Sequence, residues 1–485
     1  MKSSLGDHKI KKGKVVSPFN YNLPQMKLVS WKNERFLEYM WLCLLHNHYG
    51  RDDAFKIIYN VYREFKKFDI FPGRPKWSVL LEESNERKHI AFKILTKYIE
   101  ADVLAPLTLI YRAEQYPIFN EYFYNIHFMI GDRINAIIDV MSKYQFKDSK
   151  DTTDIKYMIT LNMIVNDKIR FTSGAPVAAE AFREYPKTEH TDEKMELYRP
   201  AIRSIEEMDL EEQNTGFLDY TKKEISQITE CNPVILKYEN QLLKKNMFDD
   251  LKMVSDYLNT KREISFEVDH KFDVVIGLLI YSIKVFGEIQ TSDNSIGILG
   301  RNGMRILIEA YVMLKYLIKK EKDNYSIWNA YKEYGLGKYK MILLKKREFE
   351  STISHYNEFV IDQIVNEEKS EEFQDIDLTY FDKLGIREKC LEVDEKLLYD
   401  LYYDYNSQFG HGLWGALRES CFVICDNPSH GYHAIPDVTY EQFLPDVNID
   451  SGKVILLIMK LVNDIYTLPD WYIETYGDEM NAVTL

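Results

Sequence analysis

The chain has 485 residues, of which 45% are hydrophobic and 28% charged, and its formal net charge is −14. The length is greater than one hydrophobic core usually serves, so we expect two domains. The composition excludes a largely disordered chain. Glycine and proline are scarce, at 21 and 14 residues, which argues against all-β folds with their many turns.

The cysteine pattern and the first residues predict a cytoplasmic protein that does not enter a membrane. The five cysteines are scattered and form no Cys-x-x-Cys pair, so we expect reduced thiols. Met1 to Lys14 are basic and polar and lack the apolar run of a signal peptide, so we do not expect secretion, and residues 1–20 are predicted to form a basic flexible tail. The most apolar stretch, Val274 to Ile283, is about half as long as a bilayer span.

Amphipathic patterns predict helices in the N-terminal half. Apolar residues recur at helical spacing from Asn33 to Tyr49, and Gly50 is a natural stop. A second helix is expected to begin at Asp52. Further patterns predict helices over residues 85–100, 118–144 and 194–208. Residues 171–178 are predicted to form a loop, because glycine and proline interrupt the pattern.

The domain boundary is predicted near residue 230. The sequence is acidic and polar from Asp209 to Asn232 and then breaks at Pro233. We therefore expect one helical domain over residues 21–230 and another over residues 231–485. In the latter, the helices predicted over 272–289 and 302–320 are apolar almost all round, which is typical of the centre of a bundle. The predicted fold class is all-α, with a C-terminal helical bundle.

The second of these central helices has a charged stripe. Arg301, Arg305 and Glu309 are spaced four apart and therefore share one face. A buried charge without a partner is costly, so each residue must be paired or must face a ligand. One interpretation is an Arg305–Glu309 pair that only neutralises itself. The other is a site in which Glu309 holds Arg305 in place for chemistry.

The segment from Arg301 to Arg347 is cationic although the whole chain is acidic. It contains twelve Lys or Arg residues and four acidic ones. Such a field attracts phosphates and nucleic acid. The predicted RNA-binding residues are Arg301, Lys338, Lys340 and Lys345. Charge blocks of this kind more often form a solvated face. The simpler interpretation is therefore that the cationic segment is solvated and pairs with the acidic run from Glu348 to Glu395.

Another candidate segment contains His411, which is flanked by Gly410 and Gly412. If the helix continues through Gly410, then Asp404, Ser407 and His411 share one face, and Asp404 can orient the imidazole. A hydrolase triad of these three residues is disfavoured, because no Gly-x-Ser-x-Gly turn surrounds Ser407. An isolated histidine is more often structural, but the neighbours of His411 suit general acid–base catalysis.

A third group contains residue types that bind metals. It consists of Cys421, Cys425, Asp426, His430 and His433. His-x-x-His with an upstream cysteine can bind zinc, but the two cysteines lie four apart on a predicted helix and fit no standard site. Structural packing is the favoured interpretation, so no metal and no other cofactor is predicted. A zinc enzyme built on His430 and His433 is the third class of function considered.

Several short motifs resemble a known family. Trp31 with the Trp41–Leu42 helix, the Arg305-x-x-x-Glu309 helix and the segment Tyr405–His411 resemble an uncharacterised helical bacterial domain found among mobile-element and phage-defence genes. The resemblance covers about half of the chain. That family is distantly similar to the HEPN nucleases, whose active members cleave RNA without metal. The resemblance implies an Arg305–His411 pair facing a cleft, and a homodimer, because HEPN sites usually form across a two-fold axis.

The sequence departs from the HEPN pattern at the candidate site. HEPN nucleases place arginine and histidine a few residues apart on one helix, but no arginine stands at those positions before His411. The literal match, from Arg183 to His190, is interrupted by Pro186 and is not expected to be one helix. An active site would therefore have to be rebuilt from different helices.

The sequence thus predicts an RNA-cleaving or RNA-binding protein of a bacterial defence or toxin system. Its catalytic residues would be Arg305, Glu309 and His411. His411 would move protons, and Arg305 would stabilise the charge that develops on the phosphate. The alternative is a non-enzymatic helical sensor or interaction subunit whose partner is a protein from the same operon.

Overall fold

Helices dominate the structure, which is a computed structural model. It describes residues 4–18, 21, 29–171, 176–207, 214–239, 241, 246–261, 269–291, 293–349, 354–377 and 380–483. About 68% of the chain is helical and 3% is strand, so the predicted all-α class is confirmed. None of the helices in these ranges is long and apolar enough to cross a bilayer.

The chain divides into two compact units. The N-terminal unit comprises Met1–Val234 and Ile424–Ala434, and the C-terminal unit comprises Ile235–Val423 and Ile435–Leu485. We call residues 424–434 the return segment. The sequence assigned this segment to the C-terminal domain. It belongs to the N-terminal unit because Cys425 and Ile424 pair with Pro233 and Val234 in an antiparallel ladder, a contact between residues distant in sequence.

The N-terminal unit contains ten α-helices among its described residues. They are α1 Met40–Lys67, α2 Trp77–Glu82, α3 Asn85–Tyr98, α4 Ala101–Leu104, α5 Pro117–Phe123, α6 Ile130–Tyr144, α7 Lys150–Val165, α8 Pro176–Glu184, α9 Met195–Glu206 and α10 Thr215–Ser226. Helix α1 is kinked at Gly50, whose φ is 73°, so the predicted stop is confirmed. Part of the predicted loop, residues 172–175, and part of the predicted boundary, residues 208–213, lie outside the described residues.

The single helix predicted over residues 118–144 is wrong, because α5 and α6 are separate. The chain leaves α5 at Tyr124, whose ψ is 121°. Asn125 then stabilises the turn, since its side chain accepts from the His127 N–H and donates to Asp102. Side chains of this type compete with the helix for backbone hydrogen bonds.

Part of the predicted tail forms a β-hairpin. Strand β1, Lys9–Lys11, pairs antiparallel with β2, Lys14–Val16. The turn between them has a positive φ at both Lys12 and Gly13, as a type I′ hairpin turn requires.

The C-terminal unit contains a second set of ten α-helices among its described residues. They are α11 Met247–Asn259, α12 His270–Gln290, α13 Ile298–Lys320, α14 Ile327–Glu348, α15 Glu358–Val365, α16 Ile386–Glu392, α17 Asp404–Gly410, α18 Trp414–Ser420, α19 Asn448–Ile465 and α20 Asp470–Ala482. Besides the helices of the two units, three short strands, β3 Pro233–Val234, β4 Phe422–Cys425 and β5 Ala434–Pro436, form a sheet in the order β3-β4-β5. Strand β3 and the paired residues Ile424 and Cys425 of β4 belong to the N-terminal unit.

Helix α13 lies at the centre of the C-terminal unit, as its apolar faces predict. It packs against α12, α17 and α19. A Cβ atom at Gly303 would lie 2.6 Å from Ile289 Cγ1, so only glycine lets α13 approach α12 this closely. Most of the helix is therefore covered, and the stripe Arg301, Arg305 and Glu309 runs along the side that meets α17.

The core of the N-terminal unit encloses a carboxylate. Asp154 on α7 is 1% exposed. Its oxygens lie 2.8–3.1 Å from the Tyr185 hydroxyl, Arg51 Nε and the Nε2 atoms of His46 and His190. Burial alone raises the pKa of this carboxyl, but the hydrogen bonds from His190 and His46 and the charge of Arg51 hold it well below its ordinary value.

We expect Asp154→Ala to destabilise the N-terminal unit strongly. The substitution leaves the partly buried Arg51 without its carboxylate and removes the acceptor of three other side chains. Breaking a buried pair in this way costs roughly 3–5 kcal/mol, which urea denaturation would measure.

The matched control is Asp53→Ala, because Asp53 is exposed and pairs only with Lys56; its unfolding curve should hardly move. The Asp154 contribution should also depend on pH. Since its pKa is lower in the folded chain, the contribution is complete above about pH 4 and is lost as the pH falls further. Equal stabilities of Asp154→Ala and Asp53→Ala would show that the Asp154 cluster does not stabilise the N-terminal unit.

Candidate functional site

The centre of the candidate site is a three-residue network on α13 and the segment before α17. Arg305 Nε donates to Glu309 Oε1 at 3.0 Å, and the Tyr403 hydroxyl donates to the same oxygen at 2.9 Å. The Arg305 guanidinium also lies over the Tyr403 ring, 5.4 Å from its centroid. The side chains of Arg305 and Glu309 are 27% and 42% exposed. The pair is therefore real but open to solvent, unlike the closed Asp154 cluster.

Tyr403 fixes the orientation of this network. Burial, and then its hydrogen bond to Glu309, raise the pKa of Tyr403 to about 12. The hydroxyl therefore remains a donor at any physiological pH. Tyr403 and Arg305 both donate to Glu309 Oε1, so this carboxylate holds the guanidinium from one side. Sequence reasoning missed Tyr403, because its partner is ninety-four positions away.

A glycine brings the His411 segment next to Arg305. A Cβ atom at Gly410, the last residue of α17, would lie 2.9 Å from Arg305 Nη1 and 3.1 Å from Asn302 Oδ1. The guanidinium thus lies directly against the backbone of the residue that precedes His411. The structure brings together two segments that the sequence singled out separately.

His411 itself lies outside the helix. Helix α17 ends at Gly410, and His411 caps it with a φ of −101°. The side chain is exposed, and its ring has no hydrogen bond to any described residue. The predicted orientation of His411 by Asp404 is therefore not seen. The reason is that Gly412, with a φ of 58°, turns the chain at this point.

A small cavity adjoins the network. Its volume is about 290 Å³, and Glu309, Tyr380, Lys383, Lys389 and Tyr403 contribute polar or aromatic groups to its wall. Lys389 Nζ is engaged by Asp382 Oδ1 at 2.7 Å. Lys383 is exposed. The cavity therefore has one exposed cation, Lys383, beside the Arg305 network, because Lys389 is buried against Asp382.

Arg301, a predicted RNA-binding residue, is 4% exposed. Its guanidinium donates to the Pro445 carbonyl and lies 5.8 and 5.9 Å from the ring centroids of Tyr405 and Phe409. Burial lowers the pKa of this group. A phosphate cannot reach Arg301 in this arrangement, so the predicted RNA contact is incompatible with its position.

The other predicted RNA-binding residues lie on α14. Lys340 Nζ donates to the carbonyls of Glu371 and Gln374, and Lys338 Nζ donates to that of Asp377. Arg347 pairs with Glu371 at 2.8 Å. Lys345 is exposed. Much of the cationic segment is thus bound by the acidic run that follows it, as the simpler interpretation of the charge pattern expects.

Arg183 and His190, whose spacing in the sequence matches the HEPN pattern, do not form a site. Arg183 lies in α8, where it bonds the neighbouring Glu184, whereas His190 follows a 3₁₀ turn that contains Pro186 and bonds Asp154. The prediction that these residues do not share a helix is confirmed.

The residues that could bind a metal in the structure differ from the set identified in the sequence. Cys231, which sequence reasoning left out, joins Cys425, His430 and His433, and their ligand atoms all lie within 4.8 Å of one another. Cys421 and Cys425 do not share a helix, since Cys421 follows α18 and Cys425 ends β4. In the sequence, Cys231 could have been noticed because it lies directly before the Asn232–Pro233 break.

One family model matches part of the chain. Residues 272–430 match a family of unknown function (DUF5677). The match covers nearly all of α12, α13 and the Tyr405–His411 segment, and hence both parts of the candidate site, but excludes Trp31 and Trp41. No curated protein and no solved structure matches the chain. The match is consistent with an uncharacterised domain centred on α13.

We expect Gly410→Ala to destabilise the C-terminal unit. The new methyl group would displace the Arg305 guanidinium, which Glu309 holds from the other side, so the substitution should cost about 1 kcal/mol. Gly335→Ala in α14 is the control, because a Cβ there meets no atom within 4 Å and should stabilise the helix by about 0.5–1 kcal/mol. Chemical denaturation measures both, and a gain at Gly410 would refute the close contact.

Proposed function

We propose that the C-terminal unit binds RNA and cleaves it without metal at Arg305 and His411, as a ribonuclease of a bacterial defence or toxin system. The observation that supports this most directly is the contact of the Arg305 guanidinium with the Gly410 backbone. It places an arginine beside the residue that precedes an exposed histidine. The resemblance to HEPN-related domains supports the choice of RNA.

The proposed reaction is an internal transesterification. His411 removes the proton of a ribose 2′-hydroxyl, whose oxygen then forms a bond to the adjacent phosphorus. The bond from phosphorus to the 5′-oxygen breaks, that oxygen takes up a proton from water, and protonated His411 returns its proton to the solvent. The products are a 2′,3′-cyclic phosphate and a 5′-hydroxyl. Arg305 stabilises the negative charge of the phosphorane, and Glu309 and Tyr403 position Arg305.

The neighbouring cavity suits a nucleobase. Its wall includes Tyr380, which is 36% exposed and can contact an unpaired base. The buried Tyr403 ring, by contrast, is already packed against Arg305 and Tyr399. Lys383 is an exposed cation at the same place and can contact a phosphate. These features favour single-stranded RNA over duplex RNA.

A second candidate is a non-enzymatic interaction subunit that contacts a protein from the same operon. The pairing of Lys340 and Arg347 with groups of residues 362–374 favours it, because bound cations do not form a nucleic-acid surface. In that case the Arg305–Glu309 pair is structural.

We expect Arg305→Ala and His411→Ala each to abolish most RNA cleavage while leaving the protein folded. Loss of a proton-transfer group costs about 10²–10⁴ in rate, and loss of a charge-stabilising donor about 10²–10³. The double variant should be little slower than either single one, because the residues act together. Cleavage of a fluorescent single-stranded RNA under chelating conditions is the measurement.

The control is His355→Ala, since His355 is an exposed histidine of the same unit outside the site; it should retain full activity. Because Arg305 and Glu309 are partly exposed, loss of their pair should change the free energy of unfolding by no more than about 1 kcal/mol. An RNA that stays intact with the unmodified protein would exclude the nuclease and leave the interaction subunit. A fully active Arg305→Ala variant would exclude a catalytic role for Arg305.

We expect reversal of Lys338 and Lys345 to glutamate to weaken RNA binding and to lower its salt dependence by about 0.7 for each phosphate that is no longer neutralised. Lys340 is left unchanged, because it bonds two carbonyls of the unit, whereas Lys338 bonds one, at 3.1 Å, and Lys345 is exposed. Reversal of the exposed Lys222 and Lys223 on α10 is the charge-matched control and should leave binding unaltered. Equal weakening in both variants would show a nonspecific charge effect and would exclude an RNA surface on α14.

A further inference from the structure

Two cysteines and two histidines meet where the return segment joins the N-terminal unit. Cys231 Sγ lies 3.2 Å from His430 Nδ1 and 3.4 Å from His433 Nε2, and Cys425 Sγ lies 3.7 Å from His430 Nδ1. Bonds of about 2.3 Å to sulfur and 2.0–2.1 Å to nitrogen around a tetrahedral centre separate the ligand atoms by roughly 3.3–3.8 Å. These three spacings are close to that geometry, and all four ligand atoms lie within 4.8 Å of one another.

The backbone positions these four residues independently of their side chains. Cys425 pairs with Pro233 in the β3–β4 ladder, which brings it close to Cys231. The Cys425 N–H donates to the His433 carbonyl at 2.9 Å. Between them the chain turns at Gly431, whose φ is 62°, so that both histidines face the two sulfurs.

Asn427 fastens this turn to the segment before Cys231. Its side-chain amide donates to Thr229 Oγ1 at 2.6 Å and to the Glu230 carbonyl at 2.8 Å. Its Oδ1 accepts from the Ser429 N–H at 2.9 Å. The ligand residues therefore lie on two pieces of chain that are already held together.

The outer hydrogen bonds suit metal ligation. His430 Nε2 lies 2.8 Å from the Thr229 carbonyl oxygen, which can only accept, so Nε2 bears the proton and Nδ1 directs its lone pair at the sulfurs. Metal-bound histidines are usually oriented by such a bond. The Asn232 N–H donates to Cys425 Sγ at 3.4 Å, as suits a thiolate acceptor.

We propose that Cys231, Cys425, His430 and His433 bind one zinc ion with a structural role. Two thiolates and two imidazoles are a ligand set that favours zinc in tetrahedral geometry. Four protein ligands leave no open position for water, which separates this site from a zinc hydrolase. Cys231 and His433 are exposed while Cys425 is buried, so the ion has a route from solvent.

The zinc would join residues 194 positions apart in sequence, Cys231 and Cys425. Neither the Arg305 site nor RNA cleavage is needed for this inference, because all four ligands belong to the N-terminal unit. The metal would add a link between the return segment and the chain before β3, at the place where hydrogen bonds already join them.

The test is the zinc content of the purified full-length chain, together with the absorption spectrum after Co²⁺ replacement under reducing conditions. We expect about one zinc per chain, and cobalt bands typical of tetrahedral sulfur ligation. Cys231→Ser and His433→Ala should each lose most of the metal, and both positions are exposed enough for the fold to persist. A chelator should lower the melting temperature of the unmodified chain but not that of Cys231→Ser.

Cys421→Ser is the matched control, because Cys421 lies four residues from Cys425 outside the ligand set; it should keep its zinc. The proposal is overturned by a reconstituted chain that holds no zinc and gives no cobalt bands, by a Cys231–Cys425 disulfide that persists under reducing conditions, or by equal metal loss in Cys421→Ser. If Cys231→Ser fails to fold, the cobalt titration of the unmodified chain decides alone.

Discussion

The close packing of α13 against α12 is the constraint on which the candidate site depends. Gly303 lets the two helices touch at Ile289, and α19 covers a further side of α13. The charged stripe is then left to meet α17. Along that side the environment changes within two helical turns, from a buried Arg301 to a half-exposed Arg305 and a more exposed Glu309. The same residue spacing therefore yields a packing group at one end and a solvent-accessible group at the other.

The two carboxylates described in the two units show that a cluster of polar groups does not define a functional site. Asp154 is bonded by His46, His190, Arg51 and Tyr185 and is 1% exposed, so a substrate cannot reach it. Glu309 has fewer partners but adjoins a cavity. The two carboxylates differ more clearly in their access to solvent than in the strength of their interactions. Strong interactions alone do not identify a functional site, since groups with perturbed pKa values also occur in purely structural networks.

Sequence reasoning succeeded where the determining contacts are local. Helical periodicity identified α1, α12 and α13, the kink at Gly50 followed from glycine chemistry, and the Arg305–Glu309 pair followed from its four-residue spacing. It failed where contacts join distant residues. The place of Tyr403 beside Glu309, the place of Gly410 beside Arg305 and the inclusion of Cys231 with the return segment depend on tertiary packing, which residue spacing does not encode.

The interrupted N-terminal unit has a consequence for synthesis. The chain leaves this unit at Val234 and re-enters it at Ile424, after roughly 190 residues of the other unit. At about 5–20 residues per second, the ribosome needs roughly 10–40 seconds to make that interval. Throughout it, the nascent N-terminal helices exist while β3 has no partner strand and the anchor at Asn427 has not been made. The N-terminal unit is therefore completed only after most of the C-terminal unit has been made, and a transcript broken before the codon for Ile424 yields a chain with an open sheet edge.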